Sequence, residues 1–185
     1  MQPTPITLIP LTKEAHAEAL QGVYAQTASY WQMSELPSAP PDQAIKDMDE
    51  AQETLGRTML GIVRRLERTN PSAGGELIGL VDFRLDWPDD QMAYLGMIMV
   101  AEPYQRQGIG RKAWRLLINW LRKEAKIQRV RLGVEQFNTD ALKFFTHIGF
   151  ELTGEANRIR SGQRFVRLLY MEIDIANETV HHPTR

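Results

Sequence analysis

This sequence predicts a mixed α/β fold, one sheet with helices packed on it, and three features carry the reading. Ile109, Ala113, Leu116, Leu117, Trp120 and Leu121 recur at the helical period and mark one amphipathic helix. Ahead of it, the apolar segments 58–68, 76–85 and 92–100 are separated by turn clusters and read as an antiparallel meander. Behind it, 129–134 and 165–175 read as further strands, with a short helix between them. The chain of 185 residues, 43% hydrophobic and 24% charged, suits one domain over 1–176 with a polar tail over 177–185.

The elements follow in order. Residues 6–11 form a short first strand, and Thr12 is placed to cap a helix running to about Ala28. The three prolines between Tyr30 and Pro41 make a loop, after which Asp42 is placed to cap a second helix reaching about Leu55. Strand 58–68 turns through Asn70-Pro71-Ser72-Ala73-Gly74-Gly75 into strand 76–85, a hairpin. Trp87-Pro88-Asp89-Asp90 makes the next turn, and 92–100 is the most apolar strand. Gly96 inside it marks a bulge or a close approach of another backbone or a ligand. Beyond the amphipathic helix and strand 129–134, a short helix over 139–147 ends at Gly149. An extended segment from Phe150 reaches a turn at Ser161-Gly162, and 165–175 closes the sheet.

Composition excludes several chemistries. There is no cysteine, which removes disulfides, thiol nucleophiles and Cys-based zinc sites together. Of four histidines, His181 and His182 lie in the tail, leaving His16 and His147 too far apart in sequence to suggest a cage; no metal is expected. None of the serines at 29, 34, 38, 72 and 161 sits in a Gly-x-Ser-x-Gly elbow, so a Ser/His/Asp hydrolase has little support. No apolar stretch approaches the length of a bilayer span, and residues 1–10 lack the features of a signal peptide. A soluble, cytoplasmic protein with no membrane partner is the expectation.

Net charge is only −1, which argues against a general nucleic-acid binder, yet the halves differ. Residues 1–100 carry 7 basic and 14 acidic side chains, net −7; residues 101–185 carry 15 and 9, net +6. Between Arg106 and Arg131 there are nine basic residues against one acid, Glu124, a run that suits a polyphosphate ligand or, more plainly, a solvated helix face.

The stretch Gln105-Arg106-Gln107-Gly108-Ile109-Gly110-Arg111 links the most apolar strand to the clearest helix. A glycine turn feeding a helix N-terminus aims unpaired backbone N–H groups at one point, where the helix dipole favours an anion. Gly108 and Gly110 would let the backbone approach a pyrophosphate, with Arg106 and Arg111 adding charge-assisted contacts. The plainer alternative is a tight connection whose glycines merely fit the turn. The stretch lacks the Gly-Lys-Ser/Thr ending of a P-loop, and Ala113 stands where a dinucleotide fingerprint has its third glycine.

Gln-x-x-Gly-x-Gly after Val100-Ala101-Glu102-Pro103-Tyr104, then Asn138 with Ala141-Leu142-x-Phe144-Phe145-x-x-x-Gly149-Phe150, resembles the GCN5-related N-acetyltransferase superfamily. The resemblance runs from about Met92 to Phe150. It implies a central, mostly antiparallel sheet with one splayed parallel strand pair, 92–100 and 129–134, and helices on both faces. It further implies acetyl transfer from acetyl-CoA to an amine of a small molecule or peptide, within a ternary complex. On that reading the backbone of Ile98, Met99 and Val100 pairs with the pantetheine arm and polarises the thioester carbonyl. Arg106, Gln107, Gly108, Ile109, Gly110 and Arg111 hold the pyrophosphate, Asn138 contacts the cofactor arm, and Phe145 walls the acyl pocket. A homodimer is compatible with the sequence.

Catalysis departs from the family pattern. Many relatives carry a tyrosine four residues before the Gly-Phe pair, where this chain has Phe145, and neither Tyr94 nor Gly133 is the glutamate that others use. Glu135, at its strand's end near the presumed thioester, is the candidate base, and Tyr94 the candidate proton relay or acid. The plainer reading of Glu135 is a solvated strand-end carboxylate, and Asp82 competes with it as substrate anchor or satisfied buried acid. Tyr30, Trp31, Glu35, Asp42, Asp47, Asp49 and Glu50 cluster in sequence and suit a cationic amine, or are exposed acids with Trp31 in the core. A non-catalytic acyl-CoA sensor on the same fold, and a nucleotide-binding protein unrelated to coenzyme A, are the rival functions.

Overall fold

The computed structural model describes residues 5–65 and 75–176. The turn expected at 70–75 lies outside the described residues except for Gly75, as do the last three positions of strand 58–68 and the tail 177–185. The strands are β1 (Ile6–Pro10), β2 (Arg57–Arg64), β3 (Glu76–Leu85), β4 (Met92–Val100), β5 (Arg129–Glu135), β6 (Glu151–Ser161) and β7 (Arg164–Asp174). The helices are α1 (Lys13–Ala25), α2 (Ala28–Met33), α3 (Gln43–Glu53), α4 (Ile109–Lys123) and α5 (Thr139–His147), with a 3-10 turn at Glu102–Tyr104.

The strands form one sheet in the order β1-β2-β3-β4-β5-β7-β6, in which only β4 and β5 run parallel. That mixed sheet is the architecture the sequence predicts. Alternation along the strands divides the side chains between two layers. Val81, Phe83, Ala93, Leu95, Val130, Leu132 and Val134 pack against α4 and α5. Met59, Leu80 and Met99 pack against α1, α2 and α3 on the other face, with Leu20, Val23, Tyr24, Trp31 and Met48. Helices on both faces follow from this split.

Several local expectations are corrected. Thr12 does take the extended cap backbone, but its side chain makes no cap bond; His16 Nδ1 instead accepts the Thr12 N–H at 3.0 Å. Asp42 precedes α3 in the left-handed region at φ 59 and its carboxylate does not cap either. The first helix stops at Ala25, because the Tyr24 carbonyl accepts from Thr27 Oγ1 (2.8 Å) and Trp31 Nε1 (2.9 Å) and so diverts the chain. It restarts as α2, six residues that the sequence assigns partly to a loop because they are too short to show a period. The buried stripe of α4 is Ile109, Ala113, Trp114, Leu117 and Leu121, while Leu116 and Trp120 are each 42% exposed. The stripe is therefore rotated from the predicted one, with Trp114 filling the core against Phe150 at a ring separation of 5.1 Å.

Two features of the sheet position the site. Gly96 is the extra residue of a bulge, since Asp82 opposes Met97 and Phe83 opposes Leu95. β4 pairs with β5 only through Met92↔Arg129, Ala93↔Val130 and Tyr94↔Arg131, after which the two strands part.

Candidate functional site

Where β4 and β5 part, a cleft of about 470 Å³ opens. Its walls are β4 from Leu95 to Val100, β5 from Leu132 to Glu135, the start of α5, and Ser29, Tyr30 and Met33 of α2. The β4 edge facing β5 has no strand partner beyond Tyr94, so its peptide groups can serve an extended ligand. One of them, the Val100 carbonyl, accepts from Gln105 Nε2 at 2.8 Å. Of the residues singled out in the sequence, Ile98, Met99, Val100, Asn138 and Phe145 all line this cleft. Asn138 also caps α5, its Oδ1 accepting the Ala141 N–H at 3.1 Å, which leaves its amide nitrogen as the donor for a ligand.

The glycine turn begins at the cleft's end. Gly108 is the α4 cap residue at φ 75, and a Cβ built on it meets no atom within 4 Å. The N–H groups of Ile109, Gly110 and Arg111 precede the first intrahelical bond, Lys112 N–H to Gly108 O at 3.1 Å. This open cradle, at the start of a 15-residue helix, fits the pyrophosphate of a coenzyme. Gly110 also has a packing reason. A Cβ there would lie 3.3 Å from Phe144 Cζ, so the glycine admits α5 against α4. The Ile109 side chain is buried and only its main chain can reach a ligand; the Gln107 amide is turned onto Pro103 O at 3.0 Å. Arg106, itself left-handed at φ 60, spans the rim to Asp140 through a 2.9 Å bond. Arg111 is exposed.

Beyond the cradle, three side chains in or beside the cleft can exchange a proton with a substrate: Glu135, Tyr30 and Tyr94. Glu135 lines the cleft, and among the described residues its carboxylate makes no ion pair or side-chain hydrogen bond. Tyr30 lines it from α2, its ring edge-on to Trp31 at 5.1 Å; burial, then the charges of Glu135, Asp47 and Asp82, push its phenol up to about 12. Tyr94 stands beside the cleft rather than in its wall, packed on Trp87 at 4.9 Å, and burial raises its phenol as well.

Asp82 is a satisfied buried acid. Arg57 Nε lies 3.1 Å from both carboxylate oxygens and Nη2 lies 2.7 Å from Oδ2. Burial still raises the Asp82 pKa, with Arg57 opposing, and a carboxylate held this way is not a free base. The acid–aromatic cluster near the N-terminus is likewise mostly spent on structure. Asp47 accepts from Tyr24 Oη at 2.6 Å, Asp49 pairs with Lys13 at 2.5 Å, Glu50 pairs with Arg57 at 3.4 Å, and Trp31 is buried. Of those seven residues only Tyr30 reaches the cleft. Phe145 is buried against Phe144 and Phe150, at 5.2 and 5.4 Å between rings, an apolar wall with no phenol. Ser29, Met33 and Gln105 are lining residues that sequence reasoning leaves out; only Gln105, first letter of the glycine motif, carried a signal.

Three comparisons bear on this geometry. The family model described as "Acetyltransferase (GNAT) family" matches residues 27–150. Spermine/spermidine N(1)-acetyltransferase of Bacillus subtilis (strain 168) is 28% identical over 86 residues, 44% of this chain and 57% of that relative. The match therefore spans little more than half the length of that relative. An acetyltransferase from Thermus thermophilus superposes with a TM-score of 0.71 at 20% identity, over 94% of this chain and 99% of its own. Spermidine N-acetyltransferase from Vibrio cholerae, solved in complex with CoA and spermine, superposes with a TM-score of 0.70 at 16% identity, over 92% and 96%.

Proposed function

The chain belongs to the GNAT acetyltransferase family, and on that footing we propose that it transfers an acetyl group from acetyl-CoA to a primary amine of a small molecule or peptide, by direct attack in a ternary complex. The observation that carries the proposal is the parting of β4 and β5 beside the Gly108 cradle, with the Glu135 carboxylate, which has no ion pair among the described residues, on the same cleft. Acetyl-CoA supplies the electrophilic thioester carbonyl. The β4 backbone at Ile98, Met99 and Val100 binds the arm, and an N–H there polarises the carbonyl. The N–H groups at Ile109, Gly110 and Arg111 hold the pyrophosphate, Arg106 adds charge from the rim, and Asn138 donates its amide to the arm.

Glu135 takes the proton that an arriving ammonium must lose before it attacks. As the C–N bond forms and the C–S bond breaks, the thiolate needs a proton, and Phe145 has none to give. Tyr94 is the predicted donor, and Tyr30, in the cleft wall, is a second phenol whose raised pKa keeps it protonated at neutral pH. Relatives named for spermine and spermidine support an alkyl amine with further positive charge, and the Glu135 carboxylate on the cleft suits such a cation. The position of Phe145 favours one other reading, a binding module without catalysis.

A calorimetric titration with acetyl-CoA, free CoA, ATP and NAD tests the cofactor, followed by thiol release with a panel of amines. Micromolar binding of both CoA species without ATP or NAD supports the proposal. Failure to bind CoA overturns it, and turnover of any amine removes the non-catalytic reading.

A further inference from the structure

We propose that Glu102 is a positioning residue that transmits the state of the phosphate turn to α2, so that binding of coenzyme A orders the amine-side wall of the cleft. The inference rests on the cofactor reading above and adds a coupling between the two halves of the site.

Helix α2 has six residues, too few to hold itself in water, so its placement depends on what grips it. Trp31 buries one side in the core, while Tyr30 and Met33 face the cleft. The two ends are gripped separately. At the far end, the Gln163 N–H donates to Glu35 Oε2 at 2.8 Å and Arg164 Nη2 donates to Met33 O at 3.2 Å, both from the β6–β7 hairpin. At the near end, Glu102 Oε1 accepts from Ser29 N–H at 2.9 Å and from Ser29 Oγ at 2.7 Å. The Glu102 N–H donates back to Gln26 O at 2.9 Å. Two hydrogen bonds thus join residue 102 to Ser29 in the first turn of α2, 73 positions away in sequence, and a third ties it to Gln26, the cap residue that ends α1.

Glu102 opens the 3-10 turn that joins β4 to the glycine cradle. A pyrophosphate held by the N–H groups at the α4 start restrains that turn and therefore the carboxylate that holds Ser29. Ordering one partner lowers the entropy lost on ordering the other, which is a favourable coupling, and linkage makes it reciprocal.

The test is hydrogen exchange on the full chain with and without free coenzyme A, read at the amides of residues 29–34. Coenzyme A is expected to slow exchange there about fivefold or more in the unaltered protein. Glu102→Ala is expected to bind coenzyme A yet lose that slowing. Glu102→Gln, which keeps an oxygen to accept from Ser29, restores most of it, a rescue that a generally loosened fold would not give. Ser29→Ala, cutting one of the two bonds from the other side, gives an intermediate value. Slowing that persists in Glu102→Ala with coenzyme A bound overturns the inference, as does its absence in the unaltered protein. In both cases the cofactor reading stands. If the unaltered protein does not bind coenzyme A, both fall.

Discussion

The Tyr94 hydroxyl occupies the space where a side chain on Gly133 would begin: a Cβ there would stand 2.9 Å from Tyr94 Oη and 2.8 Å from Leu168 Cδ2. Gly133 is thus required by its neighbours across the β4–β5 and β5–β7 pairings, whatever a ligand does nearby. Gly133→Ala overpacks this spot and is expected to destabilise the fold by about 1–3 kcal/mol. Tyr94→Phe removes one of the crowding atoms, so the double variant should be more stable than the sum of the two single changes predicts. Urea denaturation of the four proteins measures the coupling; strict additivity would show that Tyr94 does not press on position 133.

Arg57 and Asp82 define the next prediction. Arg57→Ala leaves a buried carboxylate without its guanidinium and should destabilise the protein by about 3 kcal/mol at neutral pH. The sign of its pH dependence follows from burial, which raises the Asp82 pKa while Arg57 opposes the rise. Without Arg57 only the upward push remains, so the folded pKa lies further above the unfolded one. An acid shifted upward removes stability as pH rises through its unfolded value and restores it as pH falls. The deficit of Arg57→Ala should therefore narrow as pH drops toward about 4, the ordinary carboxylate range. A deficit that widens on acidification would mean that Asp82 is not the group left exposed to burial.

Glu135 separates chemistry from structure. Its carboxylate lines the cleft without an ion pair among the described residues, so Glu135→Gln should leave thermal stability nearly unchanged. The proposal predicts a fall in kcat/KM of about 100-fold or more and loss of the acidic limb of the pH–rate profile, with coenzyme A affinity retained. Asp82→Asn should behave in the opposite manner, altering stability through Arg57 while the acidic limb persists. A profile unchanged in Glu135→Gln would move the base to an ordered water or another cleft group.

What could be read from the sequence, and what could not, divides by range. β3, β4 and α5 have the predicted limits because each is bounded by local turn chemistry or by a glycine that needs no distant partner. The start of α4 at Ile109 follows the glycine motif because a helix start is local too. α2 was lost because six residues show no period, and its ends are held by Glu102 and by the β6–β7 hairpin, far away in sequence. The acids of 35–50 looked like a substrate patch, since a sequence does not display that Tyr24, Lys13 and Arg57 already occupy Asp47, Asp49 and Glu50. Asp82 was ambiguous for the same reason, and Arg57, 25 positions away, resolves it.

The two glycines of the cradle, alike in sequence, should respond differently. Gly108 adopts φ 75 with open space around its missing Cβ, so a side chain there strains the backbone by about 1 kcal/mol and fills the open space in which the proposal seats the phosphates. Gly110 is helical, and a Cβ would meet Phe144 at 3.3–3.4 Å, a contact that a ring displacement of a few tenths of an ångström relieves. The better helix propensity of alanine roughly offsets that displacement, by up to about 1 kcal/mol. Gly108→Val should thus weaken coenzyme A binding at least about tenfold, or ~1.4 kcal/mol, in a protein that remains folded. Gly110→Ala should bind nearly as tightly as the unaltered chain. Calorimetry on both variants checks the order, and the reverse result would show that the bound phosphates pack closer to Gly110 than to Gly108.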